Sequence, residues 1–338
     1  MIIDVPDLRF PEFSGEWVET ELQDIVPNIC SGKDRISNSG EVALYGSTGV
    51  IGRTNSASYK ENIVLVARVG ANAGQMQIGN APCGVTDNTL VIDAKEWNYY
   101  IYYFLQHYNL NRLVFGSGQP LITGGMLKRI KVRYGCKAER NNITRLLCLI
   151  DERIATQNKI IEKLESLIKG IADKLFQTAR ETKLLLELAP NITSGTDKNG
   201  SGTIPLYGST GIIGKVKNAS QKGNIVLVAR VGTIGTVQYV KESCGVSDNA
   251  LIVEAGEMTK YIYHFLKTYK FAHITSGTTQ PLITASSLKK IAVPTYDIER
   301  QTQIVLCLNI LERKLDIEKQ YLSDIAMMKQ YLLHQMFI

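Results

Sequence analysis

The sequence predicts an α+β protein in which two similar globular domains are joined by two long antiparallel coiled-coil helices with pseudo-two-fold symmetry. Three features carry this expectation. A long segment recurs almost unchanged, each copy alternates glycine-rich turns with short β-branched runs, and each copy is followed by a heptad-spaced apolar seam.

The repeat decides the domain count. Residues 44–70, LYGSTGVIGRTNSASYKENIVLVARVG, return at 206–232 as LYGSTGIIGKVKNASQKGNIVLVARVG, with 20 of 27 positions identical. Downstream, Cys83-Gly84-Val85-Thr86-Asp87-Asn88 answers Cys244-Gly245-Val246-Ser247-Asp248-Asn249, and Gln119-Pro120-Leu121-Ile122-Thr123 answers Gln280-Pro281-Leu282-Ile283-Thr284. The period of about 161 residues is far longer than a solenoid unit, so each copy is a whole domain with its connector. The expected divisions are 1–138 for the first domain, 139–180 for a spacer helix, 181–297 for the second domain and 298–338 for a second spacer helix.

Within each copy, runs at 63–69, 89–92 and 129–132 predict strands bounded by turns. Residues 97–105, WNYYIYYFL, and their counterpart at 261–266, YIYHFL, carry aromatic residues at helical spacing. They predict an amphipathic helix whose rings are core rather than a base-stacking platform. After the first domain, Ile143, Leu147, Ile150, Ile154, Gln157, Ile161, Leu164, Ile168, Ile171 and Leu175 alternate steps of four and three. Ile304, Leu308, Leu311, Leu315, Glu318, Leu322, Ile325, Lys329, Leu332 and Met336 repeat the register, with Lys329 the weak point and Met328 beside it a candidate to fill the gap. The chain order makes the two helices antiparallel, with Gln157 and Glu318 near the middle of the seam, where a polar contact would fix register. Residues 143–175 would span roughly 50 Å at ~1.5 Å per residue.

Composition excludes more than it selects. The 338 residues are 44% hydrophobic and 21% charged, as in a globular protein, and a net charge of +6 permits an anionic partner without requiring one. The N-terminal stretch has no basic and apolar leader pattern and no segment approaches 18 uncharged apolar residues, so a cytoplasmic protein without a membrane partner is expected. Six cysteines lie apart with no C-x-x-C pair, which predicts buried thiols rather than a metal site or a disulfide framework. None of the four histidines has a histidine at the equivalent repeat position, and no catalytic residue or metal ligand set emerges. Gly208 to Lys215 superficially matches a phosphate loop, yet it has five residues between the glycines and Val216 where a hydroxyl is required. Asp87 and Asp248 are expected to hydrogen-bond within a turn. Binding and positioning fit such a sequence better than catalysis.

The segment Pro6 to Trp17, two copies of L-Y-G-S-T-G-x-I-G, two of V-A-R-V-G, two of Q-P-L-I-T and a long helix after each copy together resemble the specificity subunit of type I restriction-modification systems. The resemblance covers nearly the whole chain, which is on the short side for that family. It implies that each copy is a target recognition domain reading one half of a bipartite, interrupted site in double-stranded DNA. It further implies that the helices are spacers and that the chain docks two modification subunits and, through them, restriction subunits. S-adenosylmethionine, ATP and magnesium would then belong to those partners, with no cofactor in this chain. The alternatives are a solitary sequence-specific DNA-binding protein and a coiled-coil scaffold that binds protein.

Under that resemblance, DNA contacts are sought where hydroxyls, amides and cations meet accessible backbone. Ser47 and Thr48, with Ser209 and Thr210, offer groove or phosphate contacts or simply form a tight turn; Tyr45 and Tyr207 either reach DNA or are half-buried. Positions that differ between otherwise matching copies are candidate readers, or sites of surface drift: Arg53 and Lys215, Thr54 and Val216, Asn55 and Lys217, Ser56 and Asn218, Tyr59 and Gln221. The shared Lys60 and Lys222, and Arg68 and Arg230, suit phosphate contacts, although Arg68 also suits a structural ion pair. A third loop presents Gln119 and Gln280. Matching frameworks with different loops predict two half-sites in opposite orientation and an asymmetric site, with half-site centres roughly one to one and a half turns apart at ~34 Å per turn.

Overall fold

The computed structural model describes residues 5–115, 120–276 and 281–338. It forms two compact units, Met1–Asn158 with Tyr321–Ile338, and Lys159–Gln320.

In the first unit the elements are β1 (Val18–Glu21), α1 (Leu22–Ile25), β2 (Ile29–Ser31), β3 (Val42–Gly46), β4 (Gly49–Thr54), β5 (Ile63–Ala67), β6 (Met76–Gly79), β7 (Cys83–Val85), β8 (Thr89–Ile92), α2 (Asn98–Tyr108), α3 (Gly124–Lys128), β9 (Lys131–Tyr134) and the start of α4 (Lys137–Gln177). A four-stranded sheet has the order β2-β8-β5-β6, a three-stranded sheet the order β4-β3-β7, and β1 pairs with β9. All five residues of β5 are buried because both faces of the strand are covered. Val64 and Val66 join the main core with Tyr100, Ile101, Phe104 and Leu105 of α2. Ile63 and Leu65 point the other way, onto Tyr45, Cys83 and Val85 of the three-stranded sheet. The α2 rings are therefore core, as their spacing predicts, and the helix ends at Asn109, whose φ of 59° places it in the left-handed region.

The second unit repeats the plan with β10 (Glu181–Leu184), α5 (Leu185–Leu188), β11 (Asn191–Ser194), β12 (Ile204–Tyr207), β13 (Ile212–Val216), β14 (Ile225–Ala229), β15 (Val237–Val240), β16 (Gly245–Val246), β17 (Ala250–Glu254), α6 (Thr259–Thr268), α7 (Ala285–Lys289), β18 (Ala292–Thr295) and the start of α8 (Ile298–Met336). Val226 and Val228 of β14 meet α6, while Ile225 and Leu227 face Val246 and Cys244.

Each predicted seam position of α4 and α8 is buried or half-buried, and Gln157 is only 1% exposed. In the first unit Ile143, Leu147 and Ile150 of α4 share a core with Ile325, Leu333 and Met336 of α8. In the second, Ala172 and Phe176 of α4 share one with Ile304 and Leu308 of α8. Within each unit the two helical stretches run antiparallel.

Several expectations are corrected. The strand expected at 129–132 is found at Lys131–Tyr134, because α3 (Gly124–Lys128) ends in a turn through the helical Arg129, with the Ile130 amide donating to the Leu127 carbonyl at 3.1 Å. Of the six cysteines only Cys83 and Cys244 are buried, Cys148 is half-buried, and Cys30, Cys136 and Cys307 are exposed. Cys30 follows the buried Ile29 in β2 and so points outward, and Cys307 lies about a quarter turn around α8 from the seam residues Ile304 and Leu308, on its exposed flank. Met328 is 47% exposed and fills no gap. Lys329 itself occupies the seam position, its ammonium 2.6 Å from Asp151, to which the Tyr103 hydroxyl also donates at 2.8 Å.

Candidate nucleic-acid interface

In the first copy, β3 and β4 form a two-stranded ribbon at the edge of its sheet, with Ser47 and Thr48 at the tip between the paired Gly46 and Gly49. Gly49, at φ 132°, makes the turn possible without side-chain strain. The Ser47 hydroxyl donates to the Asn88 carbonyl at 3.2 Å, and the Arg68 amide donates to the same oxygen at 2.9 Å. Arg68 and Gly70 in turn bond Ile122 and Pro120 through their backbones. One loop cluster therefore gathers Ser47, Thr48, the Asp87-Asn88 turn, Arg68 and the segment from Pro120 to Ile122. Gln77 braces the tip by donating to the Gly46 carbonyl at 2.7 Å.

The second copy rebuilds this cluster. Arg230 donates its amide to the Asn249 carbonyl at 3.0 Å, and Ile283 donates to the Arg230 carbonyl at 3.0 Å. Gln238 donates to the carbonyls of Gly208 and Ser209 at 3.0 and 3.2 Å, fixing the tip that carries Ser209 and Thr210. The Nε of Arg230 is buried without a partner among the described residues. Gln119 and Gln280 lie outside the described residues, as does most of the loop that carries each.

The remaining candidates sit at the other end of the ribbon, about 17 Å from the tip at ~3.3 Å per residue. Arg53 is exposed and donates to the Glu41 carbonyl at 2.5 Å, and Asn55 accepts from Ser37 at 2.7 Å. Lys60, Lys215, Lys217 and Lys222 are exposed. Tyr59 and Gln221 each make a two-way backbone bridge, with Cys83 and Cys244 respectively. Burial pushes the Tyr59 hydroxyl up to about 12 and the Cys83 and Cys244 thiols up to about 11, so all three stay neutral. Two sequence readings fail here. Thr54 and Val216 are each 6% exposed and pack over Gly84 and Gly245, so this near-isosteric pair belongs to the interior. Tyr45 is 7% exposed and its hydroxyl accepts from the Asn80 amide at 3.2 Å, so it is a core residue.

Sequence reasoning also missed residues. Asp34 accepts from the Val85 amide and the Ser58 hydroxyl, and Asp197 accepts from the Val246 amide and the Ser220 hydroxyl, tying the segment after the ribbon to the sheet. The signal was present as S-G-K-D at 31–34 and S-G-T-D at 194–197. Asp87 and Asp248 do not make the expected turn bonds. The turn is held by backbone and by Ser247, which accepts from Asn249, leaving both carboxylates exposed in the cluster.

The model of the type I restriction modification DNA specificity domain matches residues 14–166 and again 185–327. The chain belongs to this family. The two matches coincide with the two copies of the specificity domain, each continuing into a long helix. A Haemophilus influenzae protein described as a type I restriction enzyme specificity subunit is 26% identical over 117 residues, or 33% of this chain and 30% of that protein, so the chain spans about a third of its length in that comparison. A Mycoplasma genitalium protein described as a type I specificity subunit is 24% identical over 369 aligned positions, covering 98% of this chain and 92% of that protein. The crystal structure of a type I restriction-modification S subunit from M. genitalium superposes with a TM-score of 0.70 at 18% identity, covering 99% of both chains, and shows a shared specificity-subunit fold. Among the described residues no helix is long and apolar enough to cross a membrane.

Proposed function

We propose that this chain is the DNA-reading subunit of a type I restriction-modification complex, each copy recognising one half of a bipartite, interrupted duplex site. The observation that carries the reading is the duplicated loop cluster at the tip of a two-stranded ribbon, since the major groove admits such a ribbon. Ser47, Thr48, Ser209 and Thr210 lie on the loops that would enter the groove, and Gln119 and Gln280, outside the described residues, are proposed as further contacts on sequence alone. Arg68 and Arg230 beside them contact phosphate. Lys60, Lys215, Lys217, Lys222 and Arg53, farther along the ribbon, hold the backbone on its flank, and Asn55 contributes a neutral amide there. Tyr59 and Gln221 act by holding the segment that carries these lysines.

The chain is read as non-catalytic, with S-adenosylmethionine, ATP and magnesium bound by partner subunits. The segment Gly208–Gly214 supports this for nucleotide: it is the turn and edge of a β-hairpin, with no helix following to receive a phosphate. Two modification subunits, with restriction subunits through them, are the proposed protein partners. In the second unit Leu306, Ile310 and Ile317 are 60%, 59% and 54% exposed, about half a turn around α8 from the seam, and suit a partner helix. Gel shift with and without the modification subunit tests the reading. Salt-dependent binding to one interrupted site only in the assembled complex is expected. Tight binding by the isolated chain would favour a solitary DNA-binding protein, and no DNA binding in either case would favour a scaffold.

A further inference from the structure

Each ribbon carries two adjacent apolar side chains that face solvent. Val50 is 57% and Ile51 48% exposed in the first copy, and Ile212 is 64% and Ile213 47% exposed in the second. Successive residues of a regular strand point to opposite faces, so one of each pair would ordinarily lie against the sheet. A register shift explains the departure. Tyr45 pairs with Val50 and Leu44 with Gly52, leaving Ile51 as an extra residue; Tyr207 pairs with Ile212 and Leu206 with Gly214, leaving Ile213 in the same place. Such a bulge re-aims side chains, and it is built twice at the same position. Ile51 and Ile213 lie over Gly46 and Gly208, where a Cβ would come within 2.9 Å of them, so the glycines before the tip leave these side chains their room.

The pair stands next to the tip hydroxyls and the exposed Asp87 or Asp248 turn; over the following glycine lies the exposed Ile36 in the first copy and Asn199 in the second. Within a major groove, one feature of a base pair rewards an aliphatic side chain, namely the C5-methyl of thymine. Resting on the function proposed above, we infer that Val50 with Ile51, and Ile212 with Ile213, are specificity-determining contacts that read a thymine methyl group in their respective half-sites. The one difference between the pairs, valine against isoleucine at the more exposed position, gives the two copies different reach.

The test uses the chain assembled with its modification subunit on the duplex that methylome sequencing identifies. Each thymine is replaced singly by deoxyuridine, which removes only the methyl group. At one thymine in each half-site the unaltered complex should lose about fourfold in affinity, the worth of one buried methyl. Val50→Ala with Ile51→Ala should abolish that sensitivity in one half-site and leave the other intact, and Ile212→Ala with Ile213→Ala should do the reverse. The inference is overturned if no thymine methyl matters, if the alanine variants stay equally sensitive, or if they lose the modification subunit while the free chain still melts as wild type. Each of those outcomes leaves site-specific DNA binding by the wild-type complex standing; absence of that binding would remove the function itself.

Discussion

Arg9 and Glu139 form a bidentate pair, Nε to Oε1 at 2.6 Å and Nη2 to Oε2 at 2.8 Å, joining the leader before the first copy to the first turn of α4. The Glu139 side chain is 1% exposed and that of Arg9 15%. Hydrogen bonding to Glu139 raises the Arg9 pKa still further, so the guanidinium remains charged. Arg9→Ala would leave a buried carboxylate without its cation, a change that costs about 3–5 kcal/mol, whereas replacing both partners by apolar groups is nearly neutral. Arg9→Ala should therefore cost about 3 kcal/mol, and Arg9→Met with Glu139→Leu less than about 1 kcal/mol. The assay is built into the molecule. Both tryptophans, Trp17 and Trp97, lie in the first unit, Trp17 fully buried and Trp97 with the Arg140 guanidinium 3.3 Å from its ring centre. Urea unfolding followed by tryptophan fluorescence thus reports this unit, and a slope of about 1–3 kcal/mol/M converts the loss into a midpoint lowered by about 1–3 M. A single variant that loses less than about 1 kcal/mol, or a double variant as damaged as the single one, refutes the argument.

Three further outcomes are expected. Lys217→Ala and Lys222→Ala should each reduce the slope of log K against log salt by about 1 without changing the methylated sequence, measured by titrating the assembled complex with its duplex. His264, with a side chain 2% exposed, has its pKa lowered by burial, so the unfolded chain takes up the proton more readily. Its contribution to stability is full above the ordinary value of 6.5 and declines as pH falls below it; circular-dichroism melts of His264→Gln should show a smaller loss between pH 7.5 and 5.5 than wild type. Leu306→Asp with Ile310→Asp should abolish co-purification with the modification subunit while leaving the melting curve within a few degrees of wild type, because both positions face solvent.

The fold was legible wherever a local pattern determines burial. The seam residues and the run Ile63–Ala67 are placed by periodicity, and the repeat makes each assignment twice. What escaped depends on register or on partners distant in sequence. The exposure of Cys30 follows from a single step along β2, which composition does not encode. Lys329 reads as a defect in a heptad until Asp151 arrives beside it from a helix 178 positions earlier. Asp34 and Asp197 were visible as repeated residues, yet their bonds span 51 and 49 positions and no local rule anticipates them. Comparing the copies found positions that differ without indicating depth, and so grouped the interior Thr54 and Val216 with the exposed Asn55 and Lys217.

Depth also explains how two copies can share a framework and differ in what they read. The identical stretch from Ile63 to Gly70, repeated at 225–232, contains a strand buried on both faces, where adding or removing a methylene is felt by every neighbour. The differing stretch from Val50 to Tyr59 begins in β4, an edge strand, and its exposed positions exchange side chains at a cost usually within about 0.5 kcal/mol. Where a difference falls inside, at Thr54 and Val216, the two side chains have nearly the same shape, with a methyl exchanged for a hydroxyl. The variable positions thus begin on the edge strand of the three-stranded sheet, and the shared core strand lies inside the four-stranded one. A change at Val50 or Ile212, exposed on an edge strand, does not disturb the core strand, so under the function proposed above the sequence read by one half would change without endangering the half that is retained.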